Sequence, residues 1–539
     1  MSADAQRGTG VETYRTQHWV QRKPAVSSTG GIVVAQHARA AAVGATILAK
    51  GGNAVDAAIA TGFAISVLEP WMSGLGGGGY MTLRMANGAR AETVDFGMPS
   101  PAKLDPKEYA LEGGRSTTDG AMFGWPKVVG DRNIVGPLSV GVPGQADGMR
   151  VAHEAYGTLP WGDLIEPARQ LASDGLYLDW YAAQSILLAA RELAAFPESR
   201  RVYLADGLPP VPRGEEGPVL RLKLGRLAET LARLQSAGAR DFYEGELARK
   251  VARDMRAAGG SLDEADLAAY RARIEPALAI PYRDAEVAVA PGLTAGPTLE
   301  RLLALWSAEL TPHGTTPDGE AYATYATGLD RVYRERLATL GDDSDARKAP
   351  SCTTHLSVVD RNGNMVALTQ TLLARFGSKL MLPATGIMTN NAIMWFDPRP
   401  GKANSIAPSR RPLSNMCPVV LARNGRAFAA LGASGGRRIL PAVAQLVSFL
   451  VDYRLDLDTA IHLPRVNATG DGRATVDPDM PKDMVPRIAA RIETVTGERA
   501  VYPVLYAAPQ VVTRDPASGI NQGAAEPSLP WSGAVAEKP

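Results

Sequence analysis

The chain has 539 residues, 45% hydrophobic and 21% charged, with a net charge of +1. This composition fits a globular protein with a sizeable core, at roughly 100–200 residues per domain. The near-zero charge argues against a nucleic-acid or membrane-surface partner. Its two cysteines, Cys352 and Cys417, are too few for a disulfide framework or a cysteine zinc site.

Residues 1–30 read as an irregular lead-in without the apolar stretch of a signal peptide. No apolar run is long enough to span a membrane. With so few cysteines, a reducing, cytoplasmic setting is expected. Ile32–Ala35 predict a strand, and residues 38–50 an alanine-rich helix stopped by Gly51 and Gly52. Asn53 is placed to cap a second helix, AVDAAIATGFAISVL, apolar on most faces and expected to be buried. Gly74-Leu-Gly-Gly-Gly-Gly79 follows, then strands at Tyr80–Met85 and Glu92–Phe96. The glycine run satisfies G-x-G-x-x-G. A dinucleotide site needs a strand before it and a helix after it, and here the order is reversed. A tight turn with close backbone approach is the better reading.

Residues 145–275 carry helical periodicity, with a capped helix start expected at Ser261-Leu-Asp-Glu264. The polar stretch 341–352 is the clearest interruption. Strands are predicted after it at His355–Asp360, Asn364–Thr371, Pro418–Ala422 and Ala427–Leu431, then a helix at Ile439–Tyr453. The Gly-, Pro- and Ser-rich tail, 515–539, reads as loop. This order predicts a layered α/β fold with mostly antiparallel sheets.

Thr353 and Thr354 stand at the seam between the polar loop and a strand. A threonine hydroxyl is a poor nucleophile without a base in hydrogen-bond reach. Cutting the chain just before the threonine supplies one, because the freed α-amine has a pKa of about 7.7–8.0. Gly432-Ala-Ser-Gly-Gly436 offers a competing nucleophile, Ser434, in the G-x-S-x-G pattern. His462 is the only histidine after it, and Asp456 and Asp458 lie too near that histidine in sequence for a convincing triad. Gly435 and Gly436 read better as donors of backbone N–H groups to an oxyanion. The histidines at 18, 37, 153, 313, 355 and 462 are scattered, so no metal site and no cofactor are expected, and His355 reads as a packing residue.

Several blocks resemble the γ-glutamyltransferase family of N-terminal-nucleophile (Ntn) hydrolases. Gly51–Ile59 and Leu75–Tyr80 look like its large-subunit signature, and Gly141–Gly144 and Tyr156–Pro160 are similar to further blocks. Thr353–Asp360 resembles the start of the small subunit, with Arg411–Met416 and the Gly435-Gly436 pair completing the set. The resemblance implies a four-layer αββα sandwich and self-cleavage between Cys352 and Thr353. It divides the chain into a large subunit, 1–352, whose residues 341–352 form the processing loop, and a small subunit, 353–539. It makes Thr353 the nucleophile, Thr371 its support across a hairpin turning at Arg361–Asn364, and Gly435 and Gly436 the oxyanion hole. Ser414, Asn415, Asn391 and Trp395 fall at substrate-binding positions.

Two departures bear on substrate. Gly97 stands where γ-glutamyl enzymes carry a carboxylate-binding arginine, and Trp395 where they carry an acid for the α-amine. Leu373 replaces an asparagine found in many members. Arg375, Arg410 and Arg437 are candidate replacement cations. The expected function is a self-processing amide hydrolase or acyltransferase working through an acyl-enzyme, with water or an amine as acceptor. Ordinary glutathione hydrolysis, an acylase for an apolar or small non-glutamyl amide, and an unprocessed binding protein are the alternatives.

Overall fold

The computed structural model describes residues 22–115, 125–210, 220–340, 352–497 and 507–538. Two seven-stranded sheets form its centre. In chain order their strands are β1 (Val26–Ser28), β2 (Ile32–Ala35), β3 (Gly78–Arg84), β4 (Glu92–Phe96), β5 (Arg273–Pro276), β6 (Leu278–Tyr282), β7 (Ala285–Val289), β8 (Cys352–Val359), β9 (Met365–Leu373), β10 (Val419–Arg423), β11 (Arg426–Ser434), β12 (Ala508–Arg514), β13 (Asn521–Ala525) and β14 (Gly533–Ala536). One sheet runs β1-β13-β12-β11-β10-β7-β6 and the other β14-β2-β8-β9-β3-β4-β5. Every pairing in both is antiparallel.

Helices cover both outer faces. Helices α1 (Ala38–Ala49) and α2 (Ala54–Leu68) pack on the second sheet, with α3 (Trp161–Asp174) outside them. Helices α4 (Gly296–Glu309), α5 (Gly319–Leu340) and α6 (Ile439–Val451) belong to the core on the first sheet. The result is the expected αββα sandwich. Strand periodicity assigns each side chain to a layer. Val33, Ala35, Leu356 and Val358 face the helices. Ile32, Val34, Val359, Met365 and Ala367 face the other sheet, meeting Val420, Ala430 and Val512. With both faces covered, β8 and β9 read as nearly continuous buried runs rather than alternating ones.

Asn53 caps α2 as expected. Its side chain accepts from the N–H groups of Val55 and Asp56, and Asp56 accepts from the Asn53 N–H at 3.0 Å. Every residue of α2 is buried, which explains its unbroken apolar sequence. The glycine run is a close-approach surface. A Cβ on Gly77 would stand 2.3 Å from the Thr371 carbonyl oxygen, and one on Gly79 2.1 Å from that of Thr369. The run therefore lets β3 lie against β9, and no phosphate cradle is needed to explain it.

Three expectations need correction. The helix near 261 starts later, at Glu264, because Asp263 is the cap and exchanges hydrogen bonds with Asp266. The tail is not all loop, since β13 and β14 lie within 515–539. Its small residues suit a tight gap: a Cβ on Gly523 would lie 2.5 Å from Ile32 Cγ2. Likewise Val26–Ser28, inside the supposed lead-in, pairs with β13.

Candidate active site

Cys352 opens β8, and residues 341–351 of the expected processing loop lie outside the described residues. The β8–β9 hairpin sets the site. Its turn is held by Asp360, whose Oδ1 accepts from the N–H groups of Asn362 and Asn364, and Gly363 takes a φ of +86°. From that turn the register pairs His355 with Thr369 and Thr354 with Gln370, then shifts between Thr354 and Cys352. Thr353 therefore sits at an irregular step, a common device for aiming a side chain at a site.

Alternation then separates the two threonines. Thr353 faces the gap between the sheets, where its Oγ1 lies 3.3 Å from Thr371 Oγ1, and it is 4% exposed. Thr354 faces the helices and donates to Glu69 Oε2 at 3.4 Å. Thr371 Oγ1 also accepts from the Leu373 N–H at 2.8 Å. Leu373 holds a φ of +84°, unusual for a branched side chain, and this bend brings its N–H back onto Thr371.

The end of β11 reaches the same end of the sandwich. Val359 and Ala430 share the inter-sheet cluster, and the His355 ring packs on Gly432, where a Cβ would be 2.3 Å from it. Moving back along β8 from Val359 thus follows β11 forward. Thr353 and the Gly435-Gly436 turn lie beyond these contacts on the same side. Gly435 has a φ of +137° and Gly436 of +59°, and the turn leads into α6. Ser434 points elsewhere: its hydroxyl donates to Gln36 Oε1 at 2.7 Å.

Beside this turn is a small, partly open recess. Trp125, Trp395, Leu413 and Asn415 line it, with Arg336 and Arg437. Leu373 belongs to the same apolar cluster as Trp125 and Trp395, so the recess adjoins the β8–β9 hairpin. Among the described residues, no Asp or Glu lines it. Arg336 is fully buried and donates to the carbonyls of Thr294 and Ser414 and to Thr298 Oγ1.

The sequence-derived site residues therefore divide. Trp395 and Asn415 line the recess together. Ser414 sits beneath it, with its hydroxyl accepting from the Met416 N–H. Asn391 is a backbone brace: its amide donates to the Ile134 carbonyl and accepts from the Ala374 N–H. Of the candidate cations, Arg437 lines the recess, while Arg410 is exposed and Arg375 half-buried. Arg411 was missed. It lies 2.5 Å from Asp95 Oδ1, and a Cβ on Gly97 would be 3.2 Å from its Nη1. Its guanidinium stands beside Gly97, a placement invisible in a sequence separation of more than 300 residues.

The gamma-glutamyltranspeptidase family model matches residues 40–352 and 343–533. The chain belongs to this family. It is a self-processing Ntn hydrolase, and its relatives carry two kinds of name. An acylase ACY 1 proenzyme of Pseudomonas sp. (strain SE83) is 32% identical over 508 residues, covering 87% of this chain and 88% of that one. A glutathione hydrolase proenzyme of Escherichia coli (strain K12) is 30% identical over 490 residues, covering 82% and 81%. The fold matches a cephalosporin acylase from Bacillus halodurans at a TM-score of 0.81 and 23% identity, over 100% of both chains. Within the family, the blocks noted in the sequence meet in space: the Asn390 amide donates to the carbonyls of Gly76 and Gly141.

Proposed function

We propose that this family member is an amide acylase whose acyl group lacks a free α-ammonium. Cleavage between Cys352 and Thr353 divides the chain into residues 1–352 and 353–539 and frees the α-amine of Thr353. That amine takes the Thr353 hydroxyl proton as the oxygen attacks the amide carbonyl. Thr371, held by the Leu373 N–H, accepts or returns a hydrogen bond to the Thr353 oxygen. The N–H groups of Gly435 and Gly436 stabilise the tetrahedral oxyanion, an effect worth about 10²–10³ in kcat per donor. The leaving amine departs with the proton, and water releases the acyl group. An amine acceptor at the same step gives transfer instead, and hydrolysis is the main course.

The observation that carries the specificity is the recess itself. Trp395 presents an aromatic wall where a γ-glutamyl substrate's ammonium needs a carboxylate, and no described acid replaces it. Leaving a buried charge unpaired costs about 2–5 kcal/mol, or on the order of 10³-fold in kcat/KM. An acyl group stacked on Trp395 avoids that cost.

The test compares γ-glutamyl anilide with anilides of acyl groups lacking the amine. The non-glutamyl substrates should win, and Trp395→Asp should shift the ratio toward γ-glutamyl. Gly97→Arg should not, because Tyr80 Oη and Arg411 Nη1 stand 3.0 and 3.2 Å from the new Cβ. A wild-type kcat/KM for glutathione at or above about 10⁴ M⁻¹s⁻¹, within the ordinary enzyme range, would return the chain to ordinary γ-glutamyl hydrolysis.

A further inference from the structure

The acyl-transfer steps leave one buried carboxyl group unused, directly behind the nucleophile's strand. Helix α2 ends at Leu68, and Glu69 is its C-cap. The side chain is fully buried. Its Oε2 accepts from Thr354 Oγ1, and its Oε1 has no hydrogen-bond partner among the described residues. An unsatisfied buried acceptor costs about 1–3 kcal/mol, so packing alone gives no reason for an acid here. The charged group acting on Glu69 is Asp179, a second acid. Burial pushes Glu69 up to about 8, with the Thr354 hydrogen bond opposing it and the Asp179 repulsion adding least. The nearest titratable neighbour on β8, His355, faces the opposite side and is held neutral by burial.

Maturation changes the charge at this point. Hydrolysis of the Cys352–Thr353 bond consumes one water and leaves a carboxyl on Cys352 and an amine on Thr353. Thr354 is the next residue, so the amine forms one residue from the hydroxyl bonded to Glu69. We propose that Glu69 is a positioning residue of the matured enzyme, whose carboxylate holds the freed α-amine of Thr353 and sets its affinity for a proton. The inference rests on Thr353 being the freed N-terminus. In the uncut chain the amide nitrogen carries no charge, and the buried acid is neutral. After the cut, the new Cys352 carboxyl releases its proton to solvent and the Glu69 proton passes to the amine, giving a Glu69 carboxylate and a Thr353 ammonium. The lone Oε1 is the acceptor for this new donor.

The pH profile separates this role from packing. The amine works as a base only when neutral, so its titration forms the acid limb of kcat/KM. A nearby carboxylate raises the amine's pKa. Glu69→Gln keeps the size and the Thr354 contact but removes the charge. Its acid limb should move down by about one unit, while Glu69→Asp should keep most of the wild-type limb. A limb unmoved in a cut Glu69→Gln protein overturns the proposal. If that variant does not mature, ¹⁵N-threonine labelling of the matured wild-type protein reads the amine directly. A midpoint above about 8 is expected, and one at or below the ordinary 7.7 overturns the proposal. N-terminal sequencing of the wild-type small fragment checks the underlying reading separately, since a start other than Thr353 sinks both.

Discussion

His355 lies two residues beyond Thr353, faces the same inter-sheet gap, and has both ring nitrogens engaged there. Ser357 donates its proton to the Gln510 carbonyl, so it accepts from His355 Nε2–H at 3.0 Å, and Nδ1 accepts from Thr369 at 2.8 Å. The ring is neutral, because burial lowers its pKa to about 3. It is a tie between the sheets and not a base. The folded value lies below the ordinary 6.5, so the unfolded chain binds this proton more readily. The tie contributes in full above about pH 6.5 and is lost as pH falls toward 3, at most about 1.4 kcal/mol per pH unit. Chemical denaturation at pH 7 and 4.5 should show this loss, and His355→Gln should flatten it. Leu373 supports a second prediction. At a φ of +84°, alanine keeps the backbone strain and glycine does not. Both lose the buried side chain, at about 2–5 kcal/mol. Leu373→Gly should therefore unfold at a higher denaturant concentration than Leu373→Ala, reversing the usual strand order.

Among the elements, the β8–β9 hairpin was the most legible, because its turn residues and the paired apolar runs point to the same register. A layered, mostly antiparallel α/β fold and the buried, capped α2 were also readable, while the αββα order came from the family resemblance. The end strands β1, β13 and β14 were not. Their Gly, Ala and Ser content reads as loop locally and makes sense only against the facing sheet, where Gly523 meets Ile32. The contact between Thr353 and Thr371 was expected from the family resemblance, and the hairpin makes it reachable. The pairing of Arg411 with Asp95 beside Gly97 joins segments far apart in sequence and carried no local signal. The G-x-S-x-G pattern at the end of β11 gives the element-scale test. Ser434 is bonded to Gln36, so Ser434→Ala should cost about 1 kcal/mol in stability. Self-cleavage and most of kcat should survive, and a covalent inhibitor adduct mapped to Ser434 would reverse this assignment.

Across the whole molecule, the proposed cut would not free either fragment. In the second sheet, β8 lies between β2 from before the cut and β9 from after it, and β9 pairs with β3. In the first sheet, β10 pairs with β7 across the same boundary, and β13 with β1. Separating the fragments would break both sheets and expose the cores under them. The two pieces should co-elute on size exclusion and melt in one transition, parting only in denaturant. The central claim is that Thr353 becomes the N-terminal nucleophile. Intact mass and N-terminal sequencing of purified, active protein test it most directly. The account predicts fragments of 352 and 187 residues, the smaller beginning Thr353-Thr354-His355, with Thr353→Ala uncut and inactive. A fully active chain that remains in one piece would contradict it.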